Sequence, residues 1–295
     1  MTPLPRPPCR LLSAALLLGG CYGPVGPRTR ASADPPPAAS GPSTEAPTVL
    51  LTAHAQPAAA VDREFALPVT GVVYLVFSRP IDAISLAPHR FVLALPDGQR
   101  VTPVGALLGP AQERDEHCTA LLLVSDARSQ KTPLEPISVT VTGLVHDRDG
   151  RVLEGLSADV SPRSRPVFAV RAEAVATTTT CAGYDHAVRV YWSAPVTRPD
   201  TAPWPQVALE ATPTAPQGVD DVDEPGADNV VDYCLRGPGN PRWIDLPPGA
   251  VVDLRGGAAA KAGLAIQPHG PAGLGGVRGP AGPRAAAVPV PAPAS

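Results

Sequence analysis

The chain has 295 residues, 40 prolines and a formal net charge of −3. The slight acidity argues against a nucleic-acid partner, which calls for a basic surface. Proline far above its usual share of about 5% excludes long helices over most of the chain, because a proline inside a helix removes a hydrogen bond and clashes with the preceding turn.

Arg6 and Arg10 lead into the apolar run Leu11–Leu18. Basic residues, a short apolar core and small residues after it are the parts of a secretory signal. The run is too short to cross a bilayer as a helix, which takes about 20 apolar residues. Leu18-Gly19-Gly20-Cys21 resembles the lipobox of bacterial lipoproteins: a leucine, two small residues and the cysteine that is modified. The resemblance implies a signal peptide over residues 1–20, a diacylglycerol on the Cys21 thiol, and the membrane as a partner through that lipid. Tyr22 stands where an aspartate holds many such proteins in the inner membrane, which points to the outer membrane. Residues 21–46 are rich in Pro, Ala, Ser and Gly and read as an extended tether. Residues 267–295 are a second Gly/Pro/Ala segment. Its glycines keep no three-residue period, which excludes collagen and leaves a disordered tail.

The region between reads as an internal repeat. Val72-Val73-Tyr74-Leu75-Val76-Phe77-Ser78-Arg79-Pro80 matches Ala187-Val188-Arg189-Val190-Tyr191-Trp192-Ser193-Ala194-Pro195 at a constant shift. Val73, Leu75 and Phe77 share one strand face, as do Val188, Val190 and Trp192. Arg189 and Tyr191 on the other face predict a half-buried strand. Each strand ends at Ser-x-Pro, since proline cannot donate to a ladder. Phe91–Leu95 is set against Gln206–Glu210, Pro47–Leu51 against Pro166–Val170, and Ile137–Val141 against Gly249–Asp253, with following turns at Gly150 and Gly263. Two units result, 47–156 and 165–266. Several short strands in about 100 residues each are the signature of an Ig-like β-sandwich, so the expected fold is all-β, two tandem Ig-like β-sandwiches.

The first unit resembles the bacterial Ig-like domain of S-layer and other surface proteins. The residues that carry this are Val76-Phe77-Ser78-Arg79-Pro80-Ile81-Asp82, Phe91-Val92-Leu93, Asp97-Gly98, and Val139-Thr140-Val141-Thr142-Gly143-Leu144-Val145-His146-Asp147-Arg148-Asp149-Gly150. In that family the apolar strand ends in Phe-Ser-acidic-Pro-Met and the last strand pair ends in a Gly-x-x-x-Asp-x-x-Gly turn. Arg79 and Ile81 depart from the pattern. The second unit keeps Trp192-Ser193-Ala194-Pro195 and is read as losing the acidic turn, with Gly256-Gly257-Ala258 in its place. The resemblance implies a spacer or adhesive module without catalysis.

Of five cysteines, Cys118, Cys181 and Cys234 lie beyond the signal and the lipid site, and no pair has CxxC spacing. An exported chain meets oxidising conditions. In an Ig-like sheet the elements of Cys181 and Cys234 can be neighbours, which predicts a Cys181–Cys234 disulfide. Cys118–Cys181 and Cys118–Cys234 are the alternatives.

No catalytic motif is present: no Gly-x-Ser-x-Gly, no His-Glu-x-x-His and no phosphate loop. Asp147-Arg148-Asp149-Gly150 resembles the start of a calcium loop but lacks ligands, and reads as a hairpin turn. Asp220–Glu224, with Asp228, reads as a solvated acidic loop. His117 and Cys118 are adjacent on a strand and point to opposite faces, so Cys118 is expected to pack as a small apolar residue. The expected function is therefore a non-enzymatic, lipid-anchored envelope protein without cofactors, structural or adhesive, with an envelope protein or glycan as partner. The alternative is a glycan- or peptide-binding surface module, for which Trp204 and then Trp243 are the candidate stacking residues. A hydrolase is the remotest reading.

Overall fold

The computed structural model describes residues 46–57, 69–109, 117–125, 134–177, 181–220 and 228–268. Cys21, the signal segment, nearly all of the tether and the tail beyond 268 lie outside the described residues. Eight strands make the first sheet: β1 (Leu50–Pro57), β2 (Gly71–Phe77), β3 (Phe91–Ala94), β4 (Arg100–Val101), β5 (Gly105–Leu108), β6 (Thr119–Val124), β7 (Ser138–Val141) and β8 (Ser157–Ser161). Their order is β4-β3-β7-β8-β1-β2-β6-β5, with β8 and β1 parallel and the other neighbours antiparallel. The sheet curls at the β8–β1 seam, so that its two halves close over one core. Ala53, Val73, Leu75, Phe77 and Leu122 from one half meet Phe91, Leu93, Val139 and Val141 from the other.

The second sheet is built the same way. Its strands are β9 (Ala169–Val175), β10 (His186–Trp192), β12 (Gln206–Leu209), β13 (Thr212–Thr214), β14 (Gly218–Asp220), β15 (Val230–Leu235), β16 (Pro241–Leu246) and β18 (Ala262–Pro268). A small ribbon of β11 (Val196–Thr197) and β17 (Val252–Asp253) stands beside it. The order β13-β12-β16-β18-β9-β10-β15-β14 repeats that of the first sheet strand for strand, including the parallel seam, here β18–β9. The ribbon repeats the bridge between Ile81 and Asp147. Register agrees to the residue: Ala53 faces Leu75 as Ala172 faces Val190, and the pairing of β1 with β2 slips after Leu50 as that of β9 with β10 slips at Ala169. The fold is all-β, two Ig-like β-sandwiches in tandem, and no helix among the described residues is long and apolar enough to cross a membrane.

Three details of the repeat differ from the sequence reading. Phe91, Leu93 and Leu95 are buried in the first sandwich; in the second the buried residues are Pro205, Val207 and Leu209. Phe91 therefore corresponds to Pro205, one residue earlier than the match to Gln206, and a one-residue slip exchanges the two faces of a strand. The counterpart of β7 is β16, not Gly249–Asp253. Gly263 lies within β18, and the turn that corresponds to Gly150 is at Gly256.

Strand β10 is not half-buried. Arg189 and Tyr191 are as enclosed as Val188 and Trp192, and β2 and β6 are likewise buried on both faces. The reason is the joint between the sandwiches. Val72, Tyr74, Leu121 and Leu123, on the outer face of the first sheet, belong to one apolar cluster with Val167, Trp192, Ala194 and Val196 of the second. Val76 and Cys118 cluster with Tyr191 and Val230. The described residues belong to one compact unit accordingly.

Candidate functional site

The joint holds a buried network of charged and polar side chains. Arg189 on β10 is 2% exposed and Asp232 opposite it on β15 is 0% exposed. Arg189 Nε donates to Asp232 Oδ1 at 2.9 Å and Nη2 to Oδ2 at 2.7 Å, the fork geometry in which guanidinium and carboxylate satisfy one another. Beside them Tyr191 Oη donates to Glu173 Oε1 at 2.8 Å, and Arg171 pairs with Glu173. Burial, then Cys118 and Glu173, push the Tyr191 hydroxyl well above its ordinary range, so it stays a donor. These pairs explain how a strand with arginine and tyrosine on one face is buried on both.

The joint is reciprocal. Phe77 N donates to Cys118 O and Trp192 N to Asn229 O, each at 2.7 Å, so Cys118 and Asn229 are equivalent positions, as are Thr119 and Val230. Asn229 Nδ2 donates to Thr119 Oγ1 across the joint at 2.9 Å, while Cys118 packs with Val230. In the same way, β1 sends His54 to Ser193 at the end of β10, and β9 sends Arg171 to the Ser78 carbonyl at the end of β2 at 2.6 Å.

His54 and Ser193 are a contact that the sequence reading missed. Nδ1 of His54 lies 2.7 Å from Ser193 Oγ, and the ring stacks on Phe168 with centroids 5.7 Å apart. Burial lowers the imidazole pKa from 6.5 to about 4. The Arg165 and Arg255 guanidiniums add to that, against the Arg165 backbone and the Asp253 carboxylate. A serine touching a histidine is the start of a nucleophile and its base. Here both are fully enclosed, at 0% exposure. Moreover, Ser193 Oγ accepts the Phe168 amide at 3.2 Å as Ser78 Oγ accepts the Val49 amide at 2.9 Å. The serine of Ser-x-Pro is thus a strand-end fastening used in both sandwiches, and His54 completes the joint over one of them.

The candidate cation sites are turns. Asp147 Oδ1 accepts the amides of Asp149 and Arg151, Oδ2 accepts Thr48 Oγ1 at 2.6 Å, and Asp149 pairs with Arg79 at 2.6 Å. Asp253 repeats this with the amides of Arg255 and Gly257. Burial alone would raise the Asp253 carboxyl, but those amides and the Arg255 guanidinium hold it below the usual range. Gly150 (φ 78°) and Gly256 (φ 80°) take the left-handed conformation that closes each turn. The second sandwich therefore keeps the acidic turn that the sequence reading gave up: Gly249-x-x-x-Asp253-x-x-Gly256 is a full copy of Gly143-x-x-x-Asp147-x-x-Gly150.

Cys181 and Cys234 are joined by a disulfide with Cα atoms 5.3 Å apart. Asp220 Oδ2 accepts the Cys181 amide at 2.7 Å. Asp221–Glu224 lie outside the described residues, and Asp228 Oδ1 accepts the Val230 amide at 3.1 Å. Cys118 is a buried free thiol whose pKa burial pushes up to about 12; His117, on the other side of the backbone, meets Arg148 instead. Among the described residues no three His, Cys, Asp or Glu side chains gather as a metal site. An open cavity of about 610 Å³ at the ends of β9, β16 and β18 is lined by residues such as Val175, Asn240, Arg242 and Ile266, with no acid, histidine or cysteine among its lining.

Trp204 and Trp243 are both exposed, at 42% and 46%. Arg198 lies over the Trp204 ring, 4.0 Å from its centroid, and is itself fixed by the carbonyls of Pro199 and Ala202.

No protein-family model matches the sequence, and no curated protein matches it. Among solved structures the chain is similar to a crystal structure of the S-layer protein SbsC at 12% identity and TM-score 0.29, over 75% of this chain and 26% of that one. It is also similar to the N-terminal part of the bacterial S-layer protein SbsC at 13% identity and TM-score 0.28, over 75% and 44%. The chain thus spans less than half the length of these structures, and a likeness at this level carries no argument about function.

Proposed function

We propose that the protein is an exported envelope lipoprotein in which two fused sandwiches, held off the membrane by a Pro-rich tether, act as a rigid spacer or adhesive body rather than as an enzyme. The observation that carries the export is the Cys181–Cys234 disulfide, because such bonds form and persist in oxidising compartments. The lipobox-like Leu18–Cys21 supports the anchor, and the apolar joint supports rigidity, since β2 and β6 would expose their outer faces if the sandwiches parted. Palmitate labelling of the wild type and Cys21→Ala in cells, with protease added from outside, tests this reading. Label that depends on Cys21 is expected. Absence of label from both forms overturns the anchor, and digestion or protection decides between the cell surface and the periplasm.

A further inference from the structure

The two sandwiches match in register, so positions where their chemistry differs are not demanded by the fold. Ala94 faces Ser138 in the first sandwich, and Ala208 faces Trp243 in the second. The same register sets Trp204, four residues before Ala208, at the place of Arg90. The first sandwich closes without an aromatic ring at either position.

Trp243 lies on the outer sheet face, and the alternation of burial sets Trp204, two residues before β12, on the same side. Burial alternates along the chain from Trp204: Pro205, Val207 and Leu209 point into the core, while Trp204, Gln206 and Ala208 point out. On β16, Trp243 and Asp245 point out on either side of buried Ile244, and on β18 Gly263 and Ala265 are exposed. The Trp243 indole lies over Gly263, where a Cβ would fall 2.6 Å from Cζ2. One face of this ring is thus seated on the sheet and the other is left to solvent. The Trp204 ring is seated on Arg198 in the same sense, since the Arg198 Nε is buried. Trp204 stands four residues before Ala208, the partner of Trp243, roughly 14 Å along an extended backbone. Between and around them the floor is small (Ala208, Gly263, Ala265) with polar groups at Gln206 and Asp245. Two of the nearby charge sets are paired, Asp245 3.9 Å from Lys261 and Glu210 3.5 Å from Arg242, while the Arg198 guanidinium under Trp204 donates to the carbonyls of Pro199 and Ala202.

We propose that this face of β12, β16 and β18 is a binding platform for a neutral, extended glycan chain, with Trp204 and Trp243 as two stacking sites. Pre-seated rings lose little freedom on binding, and their exposed faces suit the apolar face of a pyranose. The amide and carboxylate groups beside the rings, Gln206 and Asp245, suit the hydroxyls of a neutral sugar. The separation of the rings calls for a chain of several sugars rather than a single ring.

The test is calorimetric titration of the folded protein with chitohexaose, cellohexaose and the corresponding trisaccharides. Saturable binding of at least one hexasaccharide is expected, at least tenfold tighter than its trisaccharide. Trp204→Ala and Trp243→Ala are each expected to weaken it at least tenfold. Ala265→Lys, which crowds the floor from an exposed position and removes no core contact, is expected to do the same with an unchanged melting temperature. The proposal is overturned if neither hexasaccharide binds, or if binding survives in the Trp204→Ala, Trp243→Ala double variant and in Ala265→Lys.

Discussion

Acid should loosen this protein through His54. The ring is fully enclosed in the joint between Ser193, Gln56 and Phe168, with Arg165, Arg255 and Asp253 as the charged groups that act on it. Its pKa falls from 6.5 in the unfolded chain to about 4 in the fold. Between those values the unfolded chain holds a proton that the folded one does not. Stability is therefore complete above pH 6.5 and is lost as pH falls towards 4. At about 1.4 kcal/mol per pH unit the loss comes to about 3 kcal/mol, or a fall in Tm of about 6–12 °C for a chain of this size. Urea unfolding of the wild type and His54→Gln at pH 7.5, 6, 5 and 4 measures it. Glutamine stays neutral and can still meet Ser193 Oγ, while the other ionisable groups, Asp253 among them, titrate in both proteins and cancel. The wild type should lose about 3 kcal/mol more than the variant across this range. Equal losses in the two proteins would show that His54 does not carry the effect and refute the reasoning.

Arg189→Ala should cost about 3–5 kcal/mol, because it removes the guanidinium that forks onto the buried Asp232 carboxylate, whereas the double change Arg189→Met, Asp232→Leu should cost much less; urea midpoints of the two variants separate these outcomes. Replacing Cys181 and Cys234 by serine should lower stability by up to about 4 kcal/mol, the loop-closure value for a bridge spanning 53 residues, and a reducing agent should lower the wild type by a similar amount in the same unfolding assay.

The tandem sandwich was legible because burial writes itself into alternation. Val73-x-Leu75-x-Phe77 and Val188-x-Val190-x-Trp192 differ in composition but place the same side chains inwards, and both strands stop at Ser-x-Pro. The slip at β12 arose because Pro205 fills a core position that a strand reading assigns to a hydrogen-bonding residue. The acidic turn of the second sandwich was present in Gly249-x-x-x-Asp253-x-x-Gly256, and it was lost by anchoring the comparison on Gly263. The joint is different in kind. Arg189 meets a partner 43 residues away and His54 one 139 residues away, and no local pattern distinguishes an arginine that faces water from one that faces Asp232. The face with Trp204 and Trp243 was half legible: the sequence offered both rings, but only register places them on one sheet surface.

The reciprocity of the joint limits what this architecture can build. When a repeated unit docks head to tail, each copy leaves an open surface for the next, and the array can grow. Here each sandwich gives the other the same patch that it receives: Cys118 and Thr119 meet Val230 and Asn229, their own counterparts. Such a handshake closes on itself. A third copy would find both patches occupied, so duplication by this contact stops at two. Any larger assembly of the protein must grow from the outer sheet faces, the edge strands or the lipid, not from more of the same seam.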